Sequence, residues 1–172
     1  MKDISDLDYE WFVVDKNQQI AVMITGGEAP VPTQVLEDGG GTELLGDWVH
    51  RLPTVGKYTI RTYDRFALDS RSGQVSFAGR GDTPCPDDIA AAKVLWSYML
   101  LSKVGLYAFD WADVGRPVTL HSNAYDLITS PTRPLMLAEV PQDFRPFILS
   151  IDAKFSEIES IRAEDYFECA GQ

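Results

Sequence analysis

Between Tyr9 and Pro32 the chain carries two apolar, β-branched and aromatic runs, Glu10-Trp11-Phe12-Val13-Val14 and Gln19-Ile20-Ala21-Val22-Met23-Ile24-Thr25. They are separated by the polar Asp15-Lys16-Asn17-Gln18. Two such runs around a short polar gap predict a β-hairpin, and their near-continuous apolar character predicts strands covered on both faces. Gly26 and Gly27 can adopt backbone conformations closed to other residues, and Pro30 and Pro32 bring no amide donors. The chain must therefore leave the sheet at that point. A largely buried hairpin needs partners on every side, so the remaining sequence has to supply them.

A chain of 172 residues with 45% hydrophobic content is long enough to bury a core of its own without disulfide staples, and it is read as a single globular domain, residues 1–172. Its thirteen glycines and ten prolines are spread along the sequence, which favours many short elements over a helical bundle. The expected fold is α+β: a largely antiparallel, twisted sheet built from hairpins, with one central helix and one shorter helix packed on it.

The shorter helix is predicted from Glu43 to Leu52. Thr42 is its N-cap, Pro53 closes it, and Leu44, Leu45, Trp48, Val49 and Leu52 form its apolar face. A single helical turn is expected at Thr33–Glu37. Lys57–Tyr63 and Gln74–Ala78 alternate as a second hairpin, with Phe66-Ala67-Leu68 extending its first strand. The central helix starts at Pro84 and Pro86, with Asp87 and Asp88 at its positive end, and it stops at Gly105. Ile89, Leu95, Trp96, Met99, Leu100 and Val104 are its expected apolar face. Strands follow at 106–109, 118–120, 125–128 and 147–151, and an alternating edge strand is read at Phe155–Ile161. Asp110 to Pro117 is read as a connecting turn.

Charge restricts the partners. Lys and Arg number 15 against 26 Asp and Glu, a formal net charge of −11. A field of that sign repels nucleic acid and anionic lipid and attracts basic surfaces, besides keeping the chain in solution. The start of the chain lacks a signal-peptide core, and no run approaches the roughly 18 apolar residues of a membrane span, so a cytoplasmic location is expected. Cys85 and Cys169 are far apart in sequence and read as free thiols.

Residues able to do chemistry are sparse. His50 and His121 belong to no His/Cys cluster, and no Gly-x-Ser-x-Gly elbow occurs. Gly39-Gly40-Gly41 ahead of a helix could cradle an anion, but Glu37, Asp38 and Glu43 oppose one there. Asp110, Asp113 and Asp126 could gather a metal or form an acid and base pair; turn residues of the same composition are the plainer reading. Arg80-Gly81-Asp82 is read as a polar turn. The sequence thus predicts no catalytic residue, no metal, no cofactor and no enzymatic activity.

The phrases Glu10-Trp11-Phe12-Val13-Val14-Asp15, Ile20-Ala21-Val22, and Gly26-Gly27 before Pro30 and Pro32 resemble the opening of a broad group of small bacterial proteins. Gly105-Leu106-Tyr107-Ala108-Phe109-Asp110 and Pro134-Leu135-Met136-Leu137-Ala138-Glu139-Val140-Pro141 look like later phrases of the same group. Its members are associated, as immunity proteins, with polymorphic or contact-delivered toxins. The first turn here lacks the glycine commonest in that group. The resemblance implies a protein that binds a cognate toxin or effector with a basic surface, with Glu28, Glu37, Asp38, Asp110, Trp111 and Asp113 as candidate contacts. A ligand-binding domain or enzyme with a pocket assembled from distant residues is the alternative, and an adaptor in a secretion apparatus is a third.

Overall fold

The computed structural model describes residues 9–25, 29–60, 96–111 and 123–170, together with the backbone of residues 66–68 and 75–77. The fold is α+β. Its strands are β1 (Glu10–Val14), β2 (Ile20–Ile24), β3 (Tyr58–Ile60), β4 (Phe66–Leu68), β5 (Val75–Phe77), β6 (Tyr107–Trp111), β7 (Tyr125–Pro131), β8 (Ile148–Ser150) and β9 (Ser160–Ile161). Its α-helices are α1 (Thr33–Leu36), α2 (Gly41–Val49) and α3, residues 96–103.

Seven strands form one open sheet in the order β3-β7-β6-β2-β1-β8, and β9 pairs with the other end of the β7 edge that holds β3. The predicted hairpin stands at its centre, with Glu10 opposite Ile24 and Val14 opposite Ile20. The sheet is mixed. β2 runs parallel to β6, and β1 runs parallel to β8, whereas the other pairs are antiparallel. The hairpin's two outer edges are thus closed by strands from far along the chain, a pairing that local sequence pattern cannot specify.

Period-two alternation divides the hairpin between two cores. Phe12, Val14, Ile20, Val22 and Ile24 face α2 and α3, meeting Leu45, Val49, Tyr98 and Leu101. Trp11, Val13, Ala21 and Met23 face the opposite layer, formed by Val31, Val35, Ile151, Phe155, Ile161 and Ala163. Both sides of the sheet are dry, which is why its strands read as unbroken apolar runs.

Several expectations are corrected. The second hairpin forms only in its outer part, where Phe66–Leu68 pairs antiparallel with Val75–Phe77 in a separate two-stranded sheet, whereas β3 pairs with β7 in the large sheet. Thr42 does not cap α2. Gly40, in a left-handed conformation with φ of 91°, holds the N-cap position, and the Asp38 carboxylate accepts from the Gly40 and Thr42 amides at 2.8 and 2.7 Å. Leu44 is 61% exposed, and the buried face of α2 is carried by Gly41, Thr42, Leu45, Gly46 and Val49. At Gly41 a Cβ would fall inside the Phe147 ring.

In α3, Tyr98, Met99, Leu101 and Ser102 are buried, while Trp96 and Leu100 are 50% and 45% exposed. The tail of α3 forms as expected. Gly105, at φ 107°, donates to Ser102 O, and Leu106 donates to Leu101 O, so both bonds close the last turn. The predicted N-terminal part of that helix, the strand at 118–120, Cys85, His121 and Arg80-Gly81-Asp82 lie outside the described residues. Phe155–Ile161 contributes only the two-residue β9, and Phe155 itself is fully buried beneath Tyr107 and Phe109.

Candidate functional site

Four of the six sequence-derived contact residues are described, two beside α1 and two in β6. Glu37 is exposed at the end of α1, and Asp38 is half-buried with its carboxylate engaged at the start of α2. Asp110 and Trp111 belong to β6 rather than to a turn, and they are 0% and 6% exposed. Trp111 packs on Tyr125 with ring centroids 5.2 Å apart, and Asp110 is register partner to both Ile24 and Asp126. An aspartate next to a tryptophan reads locally as a turn. Pairing with a strand on either side keeps the backbone extended past it. Glu28 and Asp113 lie outside the described residues.

Asp110 and Asp126 are register partners on β6 and β7, while Asp113, the third member of the metal or acid and base alternative, lies outside the described residues. Both register partners are buried. Among the described residues no group of three or more His, Cys, Asp or Glu is placed to hold a metal ion. No described helix is long and apolar enough to cross a membrane. Cys169 is half-buried, and burial with Glu164 nearby pushes its thiol up to about 11, which leaves it a poor nucleophile near neutrality.

A different surface does converge. Where α2 ends and α3 passes over the hairpin, a groove of about 700 Å³ opens between the two helices and the β1–β2 strand ends. The floor is apolar: Ile24, Val49, Leu52, Leu101 and Val104. Its polar groups include Glu10, His50, Thr54, Ser97 and Tyr98. The β1 register brings Glu10 to the mouth, and the end of α2 brings His50 to the same place, 2.9 Å from Nε2 to Glu10 Oε2. Their side chains are 30% and 55% exposed. Histidine at the C-terminal end of a helix also meets the negative pole of the helix dipole.

The rim continues the apolar character. Trp96 and Leu100, one turn apart on α3, stand exposed beside the groove, and Val55 is 41% exposed. Lys103, one turn further, lies over the rings of Trp96 and Tyr58 at 5.4 and 5.6 Å, so its charge is shared between two aromatic faces. A second depression of about 190 Å³ shares Leu52 and Val104 with the first and extends past Trp48 and Val55 to Arg133 and Glu139.

Sequence reasoning missed this site because its members come from three distant segments. The local signal is Trp96 and Leu100 at helical spacing, a pattern that reads as core. No family model, curated protein or solved structure matches the chain.

Proposed function

We propose that this chain is a cytoplasmic immunity protein that binds a cognate bacterial toxin or effector in a stoichiometric complex and neutralises it. The observation that carries the reading is the formal charge of −11 on a sheet packed from both faces. A rigid acidic scaffold steers a basic partner and loses little freedom on docking. Inhibition by occlusion needs no reactive group of its own. Exposed apolar anchors such as Trp96 and Leu100 provide the kind of side chain on which interface affinity concentrates.

Co-expression with the product of the adjacent reading frame tests the reading. A complex of defined stoichiometry in native mass spectrometry, together with restored growth of cells producing that toxin, is expected. Unchanged toxicity and no association with that product reject the pairing.

A second reading is favoured by the groove itself. About 700 Å³ is within the size range of small-molecule sites, and a histidine with a carboxylate partner at its mouth is a usable acid and base pair. On that reading a small metabolite raises the melting temperature of the isolated chain, and His50→Ala abolishes the shift.

A further inference from the structure

We propose that the groove between α2 and α3 is the docking site for a basic amphipathic segment of the partner protein, whose apolar side chains fill the floor and whose Arg or Lys replaces His50 on Glu10. This rests on the toxin-binding reading and assigns that function to one surface.

Three observations select this occupant. The floor is apolar, half-exposed Leu100 lines it, and Trp96 stands exposed one turn away on α3, so the entering surface must be apolar on one side. Glu10 sits at the mouth and, among the described residues, has His50 as its side-chain partner, which is more than half exposed and can turn away without disturbing either core. A cation from the partner then meets a carboxylate already placed beside apolar walls, where a charged hydrogen bond is stronger than on an open surface.

The wider charge points the same way. Glu43 and Asp47 stand on the exposed side of α2, and the chain as a whole is strongly negative, so an acidic segment is repelled and a basic one attracted. Lys103 is a positive group on α3 whose ammonium lies over the Trp96 and Tyr58 rings, and Arg51 beside His50 reaches Asp47 at 4.0 Å. An amphipathic helix laid in a groove presents anchors at positions i, i+3, i+4 and i+7, which suits an apolar floor with a carboxylate at its mouth.

The full chain, labelled with ¹⁵N, is titrated with a synthetic Leu/Lys amphipathic helix of about 18 residues, long enough to be helical in isolation, and with a Leu/Glu helix of the same pattern. At about 0.15 M salt, amide shifts confined to residues 49–54 and 97–104 are expected with the Leu/Lys helix alone. Leu100→Asp, at an exposed position, and Glu10→Gln should each weaken binding by about tenfold, more than most interface residues cost when truncated. Shifts scattered over the acidic surface, equal binding of the Leu/Glu helix, no binding, or concentration-dependent shifts of the chain with itself would each overturn the assignment.

The two readings fail separately. If the neighbouring toxin does not bind but the Leu/Lys helix fills the groove, the immunity function falls and the docking site stands. If both variants still bind and neutralise the toxin as the parent does, the docking site falls and the function stands.

Discussion

Replacing Asp15 with alanine should cost far more than its position in a surface-looking turn suggests. Asp15 is 2% exposed. Its Oδ1 accepts from the amides of Asn17 and Gln19 at 2.8 and 2.9 Å, and its Oδ2 accepts from the Phe155 amide at 3.1 Å. The first two bonds shape the β1–β2 turn, and the third reaches 140 residues along the chain to the layer that covers the second core. Asn17 is exposed, so water replaces part of what its amide loses; the Phe155 amide is buried and has no such substitute.

Assigning about 0.5–1 kcal/mol to each turn bond and about 1–3 kcal/mol to the stranded Phe155 donor gives a loss of about 3 kcal/mol for Asp15→Ala. In a chain of this size that is a fall of roughly 6–12 °C in Tm. Asp15→Asn keeps an acceptor for the turn but points an amide group at Phe155 N–H, so it should fall between parent and alanine variant. Urea unfolding followed by tryptophan fluorescence and circular dichroism measures both. A loss under about 1 kcal/mol for Asp15→Ala, below one stranded buried donor, would refute the reasoning. So would an asparagine variant as unstable as the alanine one, because the two-sided carboxylate would then not be the link.

Two further perturbations check other parts of the structure. At Gly105 an added Cβ would lie 2.8 Å from Leu135 N and 3.0 Å from Arg133 O, both backbone atoms, at φ 107°. Gly105→Ala should therefore cost about 3 kcal/mol from conformational strain and crowding together, read as a lower urea midpoint; an unchanged midpoint would contradict the close approach. Burial pushes the Tyr125 phenol well above its ordinary value, while its hydroxyl accepts from Trp11 Nε1 and donates to Pro30 O. The folded state keeps that proton after the unfolded chain has lost it, so the stabilisation is complete below about pH 10 and declines above it by about 1.4 kcal/mol per pH unit. Tyr125→Phe should show a shallower alkaline decline in urea titrations, and parallel curves for the two proteins would exclude Tyr125 as the source.

How much was legible is clearest along the hairpin. Glu10–Val14 emerged with the bounds expected of it, and the second strand was shortened by one residue at each end. Periodicity and turn chemistry act within a few residues, and here nothing distant opposed them. The glycine missing from the turn is made good locally: Gln18 takes the positive φ, 62°, and the Asp15 carboxylate holds the amides around it. The close of α3 at Gly105 was legible for the same reason.

The α3 surface was not. Trp96, Met99 and Leu100 have similar apolar character and neighbouring positions, yet only Met99 is covered. Which face of an apolar helix is buried depends on what it is laid against, and that is a tertiary choice. Asp110-Trp111 failed as a turn for a related reason: two neighbouring strands supply hydrogen bonds that outweigh the local preference of aspartate for a bend.

The groove belongs wholly to this second category. Sequence alone determined that the chain is acidic, that it carries a central apolar hairpin, and that the class is α+β, because charge and short-range patterning are properties of the chain itself. Only the tertiary structure decided that β6 and β8 flank the hairpin in parallel, that Asp110 is interior, and that Glu10 meets His50 over an apolar floor. Those outcomes join residues separated by tens of positions, and they are selected by which burial and pairing can be satisfied together, a condition no single segment carries.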